Sequence, residues 1–296
     1  MGLEESNLPR YERRLIAEQY DNSDGTLDTC VLLPSSISWP TLSHISPSDI
    51  TLGTMQVAYL CIGSQLTDLP ENWQYNALLL RYKAQYINQD LKRLNIKSRV
   101  HKRRKGRESD LAIIKLEDPN IFLGEMTVGV FQHMNNGGVV EELFPLGHQI
   151  SPSLVKEALD FYNGEQQSDV VALGQIGEGK YEAAIKFSQY SEIKDLAHIS
   201  AKQMLEALMK ASLCAAADQA YKGNCPLSYE DFMLNRPLFR TDNHDISFTK
   251  LLKAGSQSLL RFSLRFERNK CIVDFCRGDK EEDVFATGNM IFYHSK

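Results

Sequence analysis

The sequence contains a weak internal repeat at an offset of 154 residues, and this repeat constrains the fold more than any other feature. His44-Ile45-Ser46 recurs as His198-Ile199-Ser200, and a Met follows each Ser nine residues later, at Met55 and Met209. Two separate features that share one offset indicate a duplicated segment, whereas a repeated tripeptide alone would be chance. A repeat has to be recognised before any fold is assigned.

The surroundings of the two copies also correspond. Each His-Ile-Ser opens a predicted amphipathic helix, for which Ser46 and Ser200 are good N-caps and Pro47 suits the first turn. A predicted hairpin precedes each helix and four strand-like runs follow it. The predicted strands are 14–20, 26–33, 79–86, 95–102, 110–117 and 121–132 in the first copy, and 169–175, 180–189, 243–250, 258–267, 270–277 and 283–294 in the second. The last strand of each copy contains Gly-x-Met, as Gly124-Glu125-Met126 and Gly288-Asn289-Met290.

A long helix wrapped by an antiparallel sheet resembles the hot-dog fold, and two copies in tandem resemble a double hot dog. The sequence therefore predicts an α+β protein with two antiparallel sheets, joined edge to edge, each wrapped around a long central helix. The predicted domains are 1–134 and 153–296, with a linker at 135–152. The expected assembly is a monomer or a homodimer, since sheet edges allow further pairing.

The second copy carries the closer resemblance to known families. Gln203-Met204-Leu205-Glu206-Ala207-Leu208 resembles the central helix of FabZ-like acyl-carrier-protein dehydratases and related thioesterases. Residues 150–293 are more similar to FcoT-type acyl-CoA thioesterases, with a leading helix at 153–162, a hairpin, and Tyr190 ahead of the central helix. A-factor-type hot-dog tandems share the architecture. The resemblance implies binding of acyl thioesters of coenzyme A or of acyl carrier protein, in fatty-acid or polyketide-derived metabolism.

The sequence also departs from these families. FcoT-type enzymes carry Asn at the two positions that are Ser200 and Met209 here. The His that dehydratases carry ahead of the helix is Glu192 here, which disfavours a dehydratase.

The sequence predicts that the start of the second helix is where a thioester would react. Backbone N–H groups at a helix N-terminus can polarise a carbonyl oxygen, and Pro47 removes one of them from the first helix. Glu206, six residues after Ser200, is predicted to activate water or act as a nucleophile, whereas the repeat places Leu52 at the matching position. The predicted catalytic residues are Glu206, His198 and Ser200, and the predicted substrate contacts are His44, Asp49, Gln56, Tyr190 and Met209.

Each of these residues also has an ordinary structural interpretation. Glu206 and Lys210 have the spacing of a helix-surface ion pair. The two Ser residues can be plain N-caps, the two His residues can bond nearby backbone, the Met residues can pack the core, and Tyr190 can be a strand aromatic. Sequence alone leaves both interpretations open.

One segment is strongly basic. Residues 92–107 include nine Lys and Arg, and Lys102, Arg103, Arg104 and Lys105 are predicted to form a hairpin turn. This turn is either a solvated loop or a docking surface for an acidic carrier protein or for coenzyme A phosphates. A net charge of −5 disfavours a nucleic-acid partner.

The cysteine spacing and the length of the apolar stretches restrict the metal sites and membrane segments that we expect. The six cysteines show no C-x-x-C or zinc spacing, so we expect free thiols, no metal and no cofactor, in a cytoplasmic protein. No apolar stretch approaches the ~20 residues that cross a bilayer. Three functions stay open: a thioesterase or related acyl-transfer enzyme, a non-catalytic module that binds an acyl carrier or partner protein, and a dehydratase-like enzyme.

Overall fold

The computed structural model describes residues 15–33, 46–90, 93–132, 145, 147–161, 168–189, 198–236, 239–249, 251–276 and 285–294. Its elements are, in chain order, β1 (Ile16–Asp21), β2 (Leu27–Leu32), α1 (Pro47–Gln65), a 3₁₀ turn (Trp73–Asn76), β3 (Ala77–Tyr86), β4 (Arg93–Lys105), β5 (Ser109–Asp118), β6 (Phe122–Phe131), β7 (His148–Gln149), α2 (Pro152–Ala158), β8 (Ser168–Gly177), β9 (Lys180–Phe187), α3 (Ala201–Tyr221), α4 (Tyr229–Asn235), β10 (Phe239–Phe248), β11 (Gln257–Glu267), β12 (Lys270–Phe275) and β13 (Ala286–His294).

Within the described residues, the strands form one antiparallel sheet in the order β1-β2-β4-β5-β6-β3-β10-β13-β12-β11-β9-β8-β7. Each half repeats one order, because β1-β2-β4-β5-β6-β3 corresponds to β8-β9-β11-β12-β13-β10 read from the other edge. The α+β class agrees with the sequence prediction. The two sheets that the sequence predicts to be joined edge to edge form one continuous sheet, because β3 and β10 pair from Gln85–Asn243 to Arg81–Ser247. We call this pairing the seam.

The Gly-x-Met motifs identify matching positions at the seam. Met126 of β6 pairs with Tyr82 of β3, and Met290 of β13 pairs with His244 of β10. Tyr82 and His244 therefore occupy corresponding sites in the two halves. Both are buried, and their rings meet edge to face with centroids 4.7 Å apart.

The two long helices are enclosed by the sheet and contact each other. α1 packs on β2, β4 and β5, and α3 packs on β8, β9 and β11. Both helices begin at the predicted N-caps, since Ser46 Oγ accepts from Asp49 N–H and Ser200 Oγ accepts from Gln203 N–H. Strands such as β3 alternate buried and exposed residues, because one face meets the helix and the other meets solvent.

Four local features differ from the sequence expectations. Lys102, Arg103, Arg104 and Lys105 lie in β4 rather than in a turn, and the chain reverses at residues 106–108. The leading helix of the second half ends at Ala158, before the predicted end. β7, inside the predicted linker, pairs with β8. α4 was not predicted, because seven residues are too few to show helical periodicity.

Candidate active site at the start of the second long helix

The N-terminus of α3 combines a capping box with a first turn that has no acidic residue. A capping box closes it, in which Ser200 Oγ accepts from Gln203 N–H and Gln203 Oε1 accepts from Ser200 N–H. The first bond of the helix ladder runs from Met204 N–H to Ser200 O, so the N–H groups of Ala201 and Lys202 precede that ladder. No acidic residue lies in this first turn, so the positive end of the helix dipole keeps its sign.

The N-terminus of α1 has the opposite character. Pro47 occupies the first position and contributes no N–H. Asp49, which is buried, accepts a 2.9 Å hydrogen bond from Ser46 Oγ and brings a carboxylate into the first turn. The two helix starts are therefore unequal, and only that of α3 suits a developing oxyanion.

A cavity of about 90 Å³ adjoins the start of α3. We call it the seam cavity, because both halves of the chain line it. Its walls are Leu78, Leu79 and Leu80 of β3, Ile199 and Met204 at the start of α3, and Phe248, Thr249, Leu251 and Leu252 after β10. The lining is almost entirely apolar, which suits a hydrocarbon chain.

His198 lies two residues before the N-cap of α3 and is 8% exposed. Its backbone forms an isolated bridge with Lys253, and the next residue, Ile199, donates its N–H to Leu252 O at 2.8 Å. Burial lowers the pKa of the His198 imidazole from its ordinary value to about 4. At neutral pH the ring is therefore uncharged, and it is a weaker base than an exposed histidine.

Glu206 is fully buried and forms an ion pair with Lys210, with Oε1 and Nζ 2.7 Å apart. The predicted spacing of the pair is confirmed, but the surface location is wrong. Lys210 Nζ also donates a 2.6 Å hydrogen bond to Ser168 O, at the start of β8. The approach of β8 covers the pair, and this contact spans 42 residues.

The corresponding residue of α1 makes a corresponding contact. Gln56, which the repeat matches to Lys210, accepts a 3.0 Å hydrogen bond from Leu15 N–H, just before β1. In both halves this helix position ties the helix to the first strand of its own half. Lys210 therefore has a structural function, and the catalytic function of Glu206 stays a prediction.

Helix geometry separates the predicted site residues. Residues two apart on an α-helix point about 200° apart, so Glu206 points away from the seam cavity that Met204 lines. Met209 lies about one helical turn after Glu206 on the same side of α3, and it lines a different cavity. Ile199 lines the seam cavity, whereas its neighbours His198 and Ser200 are not among the lining residues, so their part in a site stays a prediction. Of the predicted substrate contacts, Asp49 and Gln56 make the contacts described above within the first half. His44 and Tyr190 lie outside the described residues.

The predicted docking residues divide into two pairs. Arg103 bridges Asp68 and Asp110, and Lys105 also contacts Asp68. Lys105 and Arg103 together lower the pKa of the Asp68 carboxyl to about 2. Lys102 and Arg104, in contrast, are exposed on β4.

Sequence reasoning missed the β3 leucines of the seam cavity and the buried His244. The signal that could have located His244 was the Gly-x-Met motif, because it aligns the strands on either side of the seam. No group of three or more His, Cys, Asp or Glu side chains in the described ranges is placed to hold a metal ion. None of the helices that the structure describes has the length and apolarity to cross a bilayer.

Comparison with known proteins gives structural matches only. No family model matches the sequence, and no curated protein matches it. The solved structure of GphF dehydratase 1 superposes with a TM-score of 0.54 at 10% identity, covering 95% of this chain and 99% of that one. The dehydratase domain of RzxB from Pseudomonas fluorescens has a TM-score of 0.52 at 8% identity, covering 95% and 98%.

The acyl-CoA thioesterase II TesB2 from Mycobacterium marinum covers 94% of each chain at 8% identity, with a TM-score of 0.46 that is too low to argue from. The two better superpositions concern the fold alone. The chain has the hot-dog fold, in which an antiparallel sheet wraps a long helix.

Proposed function

We propose that this chain is a double hot-dog enzyme that hydrolyses an acyl thioester of coenzyme A or of acyl carrier protein, or transfers its acyl group. The strand order common to both halves supports the double hot dog. The seam cavity at the start of α3 is the observation that carries the function. It joins an apolar space of both halves to a helix N-terminus without acidic residues.

The proposed mechanism uses that juxtaposition. The acyl chain lies in the seam cavity, and the thioester carbonyl oxygen accepts from the first N–H groups of α3, which stabilise the negative charge that develops during attack. His198, neutral because of its burial, takes a proton from water or from the acceptor alcohol or amine as that group attacks the carbonyl carbon, and it returns the proton to the thiolate that leaves when the C–S bond breaks. Ser200 holds the helix start in shape through its capping box.

Glu206 fits this proposal in one of two ways. As a catalytic base or nucleophile it would need the substrate on its own side of α3. In a purely structural function it pairs with Lys210, whose hydrogen bond to Ser168 O connects α3 to β8. The matching Gln56–Leu15 contact in the first half favours the structural function.

The test measures thiol release from a panel of acyl-CoA and acyl-carrier thioesters. We expect His198→Gln to lower kcat at least about a hundredfold, as loss of a general base does. His101→Gln, at an exposed position on β4, is the matched control. Unchanged turnover in His198→Gln would contradict the mechanism.

A second variant separates the two functions of Glu206. Glu206→Leu with Lys210→Gln gives α3 the residues that α1 has at Leu52 and Gln56, and the new amide can still donate to Ser168 O. We expect this variant to fold and to keep turnover within about threefold, since residues two apart on a helix face different sides. A loss of about a hundredfold or more would instead make Glu206 catalytic.

The second candidate function is a non-catalytic module that binds an acyl carrier protein. It is favoured by the Glu206–Lys210 pair, because the acid that related enzymes use is here held by a buried lysine. Carrier binding without thiol release from any substrate would support this function against the first.

Docking of an acidic carrier would depend on Lys102 and Arg104, because Arg103 and Lys105 already pair with acids of this chain. We expect Lys102→Ala with Arg104→Ala to weaken carrier binding about tenfold and to flatten its salt dependence. Lys270→Ala, on the exposed surface of the second half, is the control. Equal affinity of wild type and double variant at low salt would exclude this docking surface.

A dehydratase remains the third alternative, since the GphF and RzxB structures that superpose on this chain are dehydratase domains. Dehydration needs an acid and a base on the same substrate, and Glu206 points away from the seam cavity that Ile199 and Met204 line. Formation of an enoyl thioester from a 3-hydroxyacyl thioester would establish this activity.

A further inference from the structure

The outer face of the sheet, turned away from the two long helices, has an open groove where the halves meet. The groove has a volume of about 600 Å³ and extends from β5 across β6, β3 and β10 to β13. We call it the outer groove. Five charged side chains line it, namely Lys83, Lys115, Glu117, Glu125 and Asp245.

Four of these charges form one row across neighbouring strands. Lys115 of β5 lies opposite Glu125 of β6. Glu125 in turn lies opposite Lys83 of β3, and Lys83 lies opposite Asp245 of β10 across the seam. The signs therefore alternate from positive to negative along the row, at the spacing of about 4.8 Å that separates neighbouring strands. We call this set the charge row.

The charge row is available to another molecule. Asp245 pairs with Arg81 at 2.6 Å, but the two side chains stay 27% and 51% exposed. Lys83, Lys115 and Glu125 take part in no ion pair among the residues that the structure describes. Because exposed charges gain little from neighbours on the same surface, these side chains lose little when they turn to a second molecule.

An alternating row of four charges is complementary to a second copy of itself. A two-fold axis parallel to the strands, between β6 and β3, places Glu125 opposite Lys83 of the second copy. The same axis places Lys115 opposite Asp245 of the second copy. Each pair occurs twice by symmetry, so the contact brings together four pairs of opposite charges. A row of one sign, or an alternating row of three, would instead meet its own sign.

The rows on either side of the charge row bring no like charges together. On one side, the same axis places Glu117 opposite the Asn243 amide, which can donate to the carboxylate. On the other side, it places Arg81 opposite the Thr127 hydroxyl, which can accept from the guanidinium. The complementarity therefore extends over three successive rows of the sheet.

The spacing of the charge row fits a second sheet. Residues on one side of a strand that crosses the row repeat about every 6.6 Å, whereas neighbouring strands of a sheet repeat about every 4.8 Å. Stacked sheets lie about 10 Å apart, a distance that Lys and Glu side chains from both copies can span. The five strands around the outer groove offer about 800 Å² of face, which is what each partner of a standard interface buries.

We propose that two copies of this chain associate through their outer sheet faces, about a two-fold axis parallel to the strands. This contact differs from the pairing of sheet edges, because it uses side chains rather than backbone hydrogen bonds. It goes beyond the proposed thioester reaction, since it lies on the face of the sheet opposite the helices and the seam cavity.

The experiment is sedimentation equilibrium of the full chain over a wide range of concentration, at low and at high salt. We expect a monomer–dimer equilibrium whose dissociation constant rises with salt, because the contacts are exposed ion pairs. Glu125→Lys and Lys83→Glu each bring like charges together at two symmetric contacts. Each variant alone should therefore weaken the dimer at least about tenfold.

Mixing the two variants makes the test specific for this interface. A dimer of one Glu125→Lys chain and one Lys83→Glu chain again has opposite charges at both contacts. An equimolar mixture should therefore dimerise with an affinity within about threefold of the wild type. Misfolding of either variant would not be repaired by mixing, so a restored dimer identifies the two residues as partners across the interface.

The matched control is Lys186→Glu, at an exposed position of β9 outside the outer groove, and it should leave the equilibrium unchanged. A wild type that stays monomeric at low salt would overturn the proposal. So would single variants that dimerise as tightly as the wild type, or a mixture that dimerises no better than its components. Thiol release does not enter these measurements, so their outcome is independent of the proposed enzyme activity.

Discussion

Two buried histidines make the stability of this protein sensitive to acid. Burial lowers the pKa of His198 to about 4 and that of His244 to about 3, against an ordinary value of 6.5. Below the ordinary value, the unfolded chain takes up protons that the folded chain cannot. The free energy of unfolding is therefore highest above about pH 6.5 and falls as the pH drops through 6.5 towards these folded-state values.

The prediction concerns His244, whose two ring nitrogens have no hydrogen-bond partner among the described residues. His244→Phe keeps an aromatic ring beside Tyr82 and Tyr86. We expect it to preserve stability at neutral pH and to reduce the pH dependence by about 1.4 kcal/mol per pH unit between about pH 6 and about pH 4. Urea unfolding at several pH values measures this slope.

The matched control is His101→Gln on β4. Its side chain is exposed, so the substitution removes a histidine without disturbing a buried contact. If His244→Phe and wild type showed parallel pH profiles, His244 would not be the group that titrates.

At the residue scale, sequence reasoning succeeded where the determinants are local. Ser46 and Ser200 were predicted as N-caps because the capping bond reaches only three residues along the chain. The Glu206–Lys210 pair was predicted from its spacing, but its burial was not, since that depends on Ser168, 42 residues from Lys210. The partners of a buried side chain come from elsewhere in the chain, and no local pattern encodes them.

At the scale of the elements, the two Gly-x-Met motifs place different steric demands on their glycines. Gly288 of β13 has a φ of +131°, and a Cβ there would collide with the Asp245 carbonyl of β10. Gly124, at the same place in the first motif, has no such φ, and its Cβ would meet the Phe122 ring at 3.0 Å. The Asp245 carbonyl belongs to the backbone of β10 and cannot move aside, whereas the Phe122 ring is a side chain and can.

We therefore predict that Gly288→Ala destabilises the protein by about 2–3 kcal/mol, because it adds strain and disturbs the β10–β13 ladder. Gly124→Ala should cost less than about 1 kcal/mol, since the Phe122 side chain can adjust. Urea midpoints of the two variants give the comparison. Equal losses would mean that the left-handed backbone at Gly288 carries no special cost.

At the element scale, periodicity located every strand of the two repeated units to within a few residues. It failed where a pattern is short or continues past a charged run. β4 extends through Lys105 because its backbone stays paired with β5, where Arg104 lies opposite Leu111 and Lys105 opposite Asp110, and charge alone does not end a strand. α4 has its own N-cap, Ser228, but it has too few residues for an apolar stripe.

At the scale of the whole molecule, the sequence predicted two sheets joined edge to edge, but it did not specify the register in which β3 and β10 meet at the seam. The repeat predicted two units, and edge strands in general tend to pair. The register of β3 on β10 follows from tertiary contacts, among them the Arg81–Asp245 ion pair and the Gln89 Nε2 bond to Thr241 O. These contacts join residues more than 150 positions apart. They also complete the seam cavity, whose β3 wall belongs to one half and whose α3 wall belongs to the other.

A continuous sheet with two helices in contact should unfold as one unit. Both tryptophans, Trp39 and Trp73, precede residue 135, so their fluorescence reports the first half only. Leu260→Ala removes a fully buried side chain from β11 in the second half, at a cost of about 2–5 kcal/mol. We predict that in urea this variant shifts the fluorescence midpoint as far as the far-UV circular dichroism midpoint, because loss of β11 packing weakens the whole sheet. Leu94→Ala, a fully buried residue of β4, is the control within the first half. A fluorescence curve that stays at the wild-type midpoint in Leu260→Ala would mean that the halves unfold separately, and the seam would then join two independent units.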